Sequence, residues 1–345
     1  MNRPGQRSTG RRTTIVVTAM AALTLLLAVG CLFIGSVNIP PSEILNICLG
    51  GEASKATWNY IIADIRIPAI VTAALSGAAL GIAGLLLQTT FNNPLAGPSI
   101  LGVSTGASFG VALTLLAGFG GGTAVGAAAM VGSTAGALVI ILVLLALSSV
   151  VRSSMMLLIV GILLSYLTSS GISILNFFAT QEGVHSFVIW GLGSFAGVSL
   201  DTIGLFSVTV LVCLFLSLLL VKPLNALLLG ERYAASLGIN VSSSRTLILL
   251  VSGVLTAIVT SFCGPVSFIG LAVPHIARLS LNTSDHRRLL PATMLAGAAT
   301  GLLTLLVSTG FTDNGSLPVN AVTPIIGVPV VLYIILNRRR LNYFN

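Results

Sequence analysis

Ten apolar runs follow one another along the chain: 15–37, 68–90, 99–119, 123–149, 155–179, 203–221, 245–263, 266–281, 289–310 and 323–337. A helix needs about 20 apolar residues to cross the ~30 Å hydrocarbon core of a bilayer, and most of these runs reach or approach that length. The sequence therefore reads as an all-α polytopic membrane protein of about ten transmembrane helices. Composition agrees, because only 7% of residues are charged, whereas a soluble domain carries roughly a quarter. The third and eighth runs contain clusters of Gly, Pro and Ser, and are expected to be bent or partly interfacial. Residues 15–337 form one transmembrane domain, with tails at 1–14 and 338–345. Ala28-Val29-Gly30-Cys31 loosely resembles a lipoprotein cleavage site, but the 23-residue run from Ile15 to Val37 is longer than an ordinary signal h-region, so the expectation is a first span.

Charge supplies an independent check, since Lys and Arg collect in cytosolic loops. With the N-terminus inside, the inner segments hold Arg3, Arg7, Arg11, Arg12, Arg152, Lys222, Arg232, Arg245, Arg278, Arg287, Arg288, Arg338, Arg339 and Arg340. That is 14 of the 16 basic residues, leaving Lys55 and Arg66 outside. Glu43, Glu52, Asp64, Glu182, Asp201 and Asp313 fall outside, and Glu231 and Asp285 inside. Both termini are then cytosolic. The net charge of +8 is explained by this sorting and not by nucleic-acid binding.

Several chemistries are excluded or weakened. Cys31, Cys48, Cys213 and Cys263 are scattered without CxxC spacing or a histidine at ligand spacing, so neither a disulfide framework nor a metal site follows. No GxxxxGK[ST] loop occurs, and any ATP used with its Mg²⁺ must be hydrolysed by a partner; no cofactor is expected in this chain. Charges near the runs stay at their ends, with Asp201, Arg245 and Arg278 the nearest, which gives an ion-coupled transporter little to work with. Gly102-Val103-Ser104-Thr105-Gly106 matches GxSxG, and an intramembrane serine protease centred on Ser104 is the rival from another class. That motif needs the strand, turn and helix of an α/β sheet, for which there is no pattern here. A small-residue packing stripe, Gly102, Gly106 and Gly110, explains the same glycines, as it does Gly77 with Gly81, Gly132 with Gly136, and Gly297 with Gly301.

Two segments stand out as machinery. FNNPLAGPSILGVSTGASFG, residues 91–110, breaks the apolar pattern with Asn92, Asn93, Pro94 and Pro98. Non-helical backbone at membrane depth is tolerated only where it is buried in protein or lines a cavity; a tight turn between two helices is the plainer reading. The one long inner loop, 222–245, reads as two short helices with Gly230 and Gly238 near their ends. It is either a docking element for a soluble partner or an interfacial helix.

Five stretches together resemble one family, the FecCD-type permease subunits of ABC importers for iron siderophores, haem and cobalamin: residues 65–110, LLLGERYAASLGIN at 227–240, GPVSFIGLAVPHIARL at 264–279, 285–299 and LPVNAVTPIIGVPVVLYIIL at 317–336. The resemblance implies a type II importer permease that is not itself an enzyme. It also implies partners: a second permease copy or paralogue, two ATPases on the cytosolic face and an extracytoplasmic binding protein, all at a bacterial inner membrane. The implied cargo is a metal chelate, with a ferric siderophore ahead of haem or cobalamin. Asn93, Pro94 and Leu95 align with the family's cytosolic gate, and Ser153 and Ser154 with its second gate element. Leu229, Gly230, Glu231, Ser236, Leu237 and Gly238 align with the loop that inserts into the ATPase. The family's R-x-P-R on the outer face is here Arg66-Ile67-Pro68-Ala69, so only Arg66 remains as the expected grip on the binding protein, with Glu182 or Asp313 as acids that invert part of the charge pattern.

Overall fold

Lipid forces each apolar run to satisfy its own backbone, and the chain obeys with helices. The structure, a computed structural model, describes residues 4–118, 125–151, 153–310 and 315–336. Helix α1 is Pro4–Phe33, α2 Pro41–Cys48 and α3 Ala56–Tyr60; a π-helical stretch, Ile61–Arg66, joins α3 to α4, Ile67–Thr90. A 3-10 turn, Pro98–Leu101, precedes α5, Val103–Leu115. Then come α6 Val125–Val150, α7 Ser154–Phe178, α8 Gln181–Leu192, α9 Leu200–Leu219, α10 Val221–Leu227 and α11 Glu231–Ser236. The last four are α12 Val241–Cys263, α13 Ile269–Leu281, α14 His286–Gly310 and α15 Val319–Leu336. Among the described residues, seven helices are long and apolar enough to cross a membrane, and three shorter apolar ones bring the set to ten. Each corresponds to one of the ten apolar runs.

The third and eighth runs are the ones that change. Helices α5 and α13 have 13 residues each, about 20 Å at 1.5 Å per residue, short of the hydrocarbon thickness. Non-helical segments, 91–97 and 264–268, precede them in the chain. The second span starts earlier than its apolar run, at Ala56, through the π-helical stretch. Helix α8 was not expected from the sequence; it fills part of the connection between the fifth and sixth runs. Residues 4–14, read as a tail, continue α1. Arg3, Arg152, Asp313, Arg338, Arg339, Arg340 and the tail 338–345 lie outside the described residues.

Helix α4 is the centre of the bundle. Every residue from Ser76 to Thr90 is buried, against α14, α12, α13 and α9. An all-round apolar helix belongs in such a place. Glycines set the spacing. A β-carbon on Gly77 would fall on the Gly297 carbonyl oxygen, one on Gly297 on that of Gly77, and one on Gly301 on that of Ala73. The same suture joins α5 to α6, where Gly106 and Gly110 interlock with Gly136 and Gly132. Such close approach is how helices gain contact in lipid, where apolar surface alone gives little. Gly102 does not belong to this stripe. Its φ is +81°, it caps α5 in the left-handed region, and an added β-carbon would lie 3.1 Å from the Gly161 carbonyl on α7. Chain reversal, and not packing on α6, is what requires glycine there.

Side-chain contacts gather several charged connections. Arg12 reaches the Ser280 carbonyl (3.3 Å), Arg288 reaches Thr13 (3.4 Å), Arg245 meets Glu231, and Asn225 meets Asp285. Arg12, Glu231, Arg245, Asp285 and Arg288, all expected on one side, are thus drawn together by these contacts. Of the charges expected on the other side, Glu43 lies on α2, Asp64 and Arg66 on the π-helical stretch, Glu182 on α8 and Asp201 in the first turn of α9.

Candidate functional site

The turn after α4 is built by its own side chains. Asn92 takes φ +45°, a left-handed conformation that Asn tolerates better than most residues. The Asn93 side-chain oxygen accepts the Leu95 N–H at 2.9 Å, and the Asn93 N–H donates to the Gln88 carbonyl at 3.1 Å. Pro94 has no N–H to satisfy and stops helix from resuming. Helix α13 grips the turn from behind: His275 Nε2 donates to the Pro94 carbonyl at 2.9 Å. Beside it, Arg278 donates to Gln88 Oε1 at 2.7 Å, and Gln88 donates to the Leu271 carbonyl at 3.2 Å. His275, Arg278 and Gln88 are all buried. Leu95 points the other way and is 46% exposed. The turn is thus a packed polar corner with one apolar side chain turned outward.

A second corner lies between α6 and α7. Ser153 caps α7, accepting the Met156 N–H at 3.4 Å. Ser154 donates to Glu231 Oε1 at 2.5 Å, and the same oxygen accepts from Arg245 Nη2 at 2.6 Å. Arg245 also reaches the Val151 carbonyl at 3.3 Å. The loop thereby touches the corner that the sequence placed separately.

The loop itself folds as expected, into α10 and α11, with Gly230 (φ +97°) and Gly238 (φ +80°) at the two ends of α11. Ala234 is buried, while Leu229, Tyr233, Ser236 and Leu237 are exposed. The half-exposed Glu231 carboxylate meets Arg245 and Ser154, supplying the counter-charge that Arg245 needs at 6% exposure. Behind the loop, Asn225 joins Asp285 and His286. Burial pushes the Asp285 carboxyl up, but the Arg287 N–H, the Asn225 amide and the charges of Arg287 and Arg288 outweigh it and hold the group below its ordinary value. It stays ionised at neutral pH.

Arg66 corrects the sequence expectation outright. It is 7% exposed, and its guanidinium donates to the Leu32 carbonyl at 2.6 Å and to the Val37 carbonyl. The last carbonyls of α1 have no partners within the helix and carry the negative end of its dipole, so they draw the cation inward. Arg66 is a clamp on the end of α1 and not a docking residue. Arg66→Ala is expected to destabilise the purified protein by roughly 1.5–3 kcal/mol, the worth of charged hydrogen bonds to carbonyls left behind. Thermal unfolding in detergent checks this; an unchanged midpoint contradicts the clamp. Of the charges expected outside, Glu52, Lys55, Glu182 and Asp201 are exposed.

Ser104 has no catalytic setting. Its hydroxyl pairs with Thr260 at 3.3 Å. His275 is engaged with Pro94 and His286 with Asn225 and Thr89, while His185 sits on α8, which packs through Gly183 against Leu115 at the far end of α5.

Ten apolar helices among the described residues, two of them short, define the class, a polytopic helical membrane protein. The FecCD transport family model matches residues 22–337. The vitamin B12 import system permease BtuC of Klebsiella pneumoniae is 34% identical over 97% of this chain and 96% of its own length. The protein of the same name from Citrobacter koseri is 33% identical over 86% and 91%. A solved structure described as an inward-facing conformation of a metal-chelate type ABC transporter superposes with a TM-score of 0.82, at 30% identity, covering 94% of this chain and 99% of the other. The chain belongs to the FecCD transport family. It is an ABC importer permease, a family in which separate ATPase subunits hydrolyse ATP.

Proposed function

We propose that the chain forms, with a second copy or a sister permease, the path of a bulky metal chelate across a bacterial cytoplasmic membrane. An external binding protein delivers the cargo, and two ATPases bind below. The observation that carries the reading is one of placement: the Asn93-Pro94-Leu95 turn, the Ser153-Ser154 corner and the folded 222–245 loop meet at a single end of the bundle. On this reading that end is cytosolic, as its basic residues require. Leu229, Tyr233 and Leu237 form an exposed apolar patch suited to a soluble partner. A chelate carries its metal already enclosed, so the path needs shape more than charge, which suits spans with so few ionisable residues.

A ferric siderophore is the leading cargo. Cobalamin is the second reading, favoured by the names of the two BtuC relatives. The permease is reconstituted in liposomes with its ATPase and binding protein, and uptake of radiolabelled ferric siderophore and radiolabelled cobalamin is followed. ATP-dependent uptake of the ferric siderophore is expected to exceed that of cobalamin by at least about tenfold, the selectivity that ~1.4 kcal/mol provides. Preference for cobalamin reverses the cargo assignment, and uptake of either without ATP rejects the importer reading.

A further inference from the structure

We propose that the 222–245 loop is wired to the two gate corners by two separate polar struts, positioned by Asn225 and Glu231. This rests on the reading of that loop as the ATPase-coupled element. The first strut starts on α10. Asn225 Oδ1 accepts from both the backbone N–H (2.9 Å) and Nδ1–H (2.8 Å) of His286, and its Nδ2 donates to Asp285 at 2.8 Å. With Nδ1 so engaged, His286 Nε2 pairs with the Thr89 hydroxyl at 2.9 Å. The Thr89 carbonyl in turn accepts the Asn92 N–H at 3.3 Å, at the start of the 92–95 turn. His286 is fully buried and Thr89 is 2% exposed.

The second strut starts on α11. Glu231 Oε1 holds Ser154 directly, and Arg245 carries the contact on to Val151, so the α6–α7 corner is held at residues 151 and 154. Between the two struts lies Gly230, whose φ of +97° makes the turn from α10 to α11 in a conformation that glycine adopts readily.

Apolar contacts slide, whereas breaking the first strut leaves the buried His286 and Thr89 unsatisfied and breaking the second leaves the buried Arg245 without its half-exposed counter-charge. In a low dielectric such bonds are also stronger and directional. Displacement of α10 therefore drags the end of α4 through Asn225, and displacement of α11 drags the start of α7 through Glu231. The two corners move by separate linkages from one loop.

The test is hydrogen exchange on the full chain in nanodiscs. Asn225→Ala is expected to speed exchange at the amides of residues 92, 93, 95 and 96 by roughly tenfold, leaving residues 156 and 157 within about twofold. Glu231→Ala is expected to do the reverse. Thr89→Val and Ser154→Ala cut the same struts from the gate side, and should reproduce the two patterns if a loop variant fails to fold. Equal acceleration at both corners, or no change at either, overturns the proposal. In the reconstituted importer, each variant should lower uptake per ATP hydrolysed by at least about fivefold, the lower range for coupling between sites. A wild-type complex that takes up no chelate rejects the cargo reading and leaves the exchange patterns to judge the struts.

Discussion

Gly84→Val is expected to abolish recovery of folded protein. A β-carbon at Gly84 would fall on the carbonyl oxygen of Gly270, with the Gly270 α-carbon only 3.0 Å away. The obstacle is backbone, so no side-chain rotation relieves it. Gly270 has no room to retreat, since a β-carbon there would lie 2.6 Å from the Pro98 ring and 2.9 Å from the Leu80 carbonyl. Separating α4 from α13 would also loosen the His275–Pro94 and Gln88–Leu271 hydrogen bonds. Overpacking ordinarily costs about 1–3 kcal/mol and more where the surroundings cannot yield. The cost here is expected above that range, and Gly84→Ala should err in the same direction by less. Gly204→Val, where nothing lies within 4 Å of the added β-carbon, is the control, expected to behave as wild type. Size-exclusion profiles after graded heating compare the three; equal monodispersity of Gly84→Val and Gly204→Val would refute the packing.

The reach of the sequence follows from the range of the forces involved. Apolar runs encode helices locally, and all ten are present as helices. The loop's two helices were marked by Gly230 and Gly238, whose positive φ is a local property. The glycine sutures were half legible: spacing showed which residues are small, but pairing Gly106 with Gly136 and Gly77 with Gly297 took the folded chain. Gly102 misled because a capping glycine and a packing glycine look alike in a GxxxG ladder.

The misses share one cause. Gln88 with Leu271, Pro94 with His275 and Thr89 with His286 lie more than 180 residues apart, and nothing local announces such partners. Arg66 was expected to dock because it aligns with the first arginine of the family's R-x-P-R, yet the nearby end of α1 offered it carbonyls. The pairing of Glu231 with the buried Arg245 was not read either, although both sit in the same loop segment. A cation beginning an apolar run was the available signal. Helix α8 escaped because its 12 residues are too few for a span and carry Glu182 and His185.

The reading of residues 93–95 as the cytosolic gate carries the second large prediction. Leu95 is the exposed apolar side chain of a turn that Asn93 closes on itself and that His275 holds through the Pro94 carbonyl. Two copies related by a two-fold axis would bring Leu95 against its own counterpart, closing the path by apolar contact, which excludes water at a constriction. Covalent joining at that point should lock it. Of the four native cysteines, Cys31, Cys213 and Cys263 are buried and Cys48 is exposed, so a Cys48→Ser background leaves a clean probe.

Leu95→Cys in that background, assembled as two permease copies with the ATPases and treated with an oxidant, is therefore the most direct measurement. The account predicts a crosslink between copies whose yield changes severalfold between nucleotide-free and ATP-bound states, a shift expected of a coupled two-state element. It also predicts loss of uptake that a reductant restores. No crosslink in any nucleotide state, or full uptake through the crosslinked protein, would contradict it.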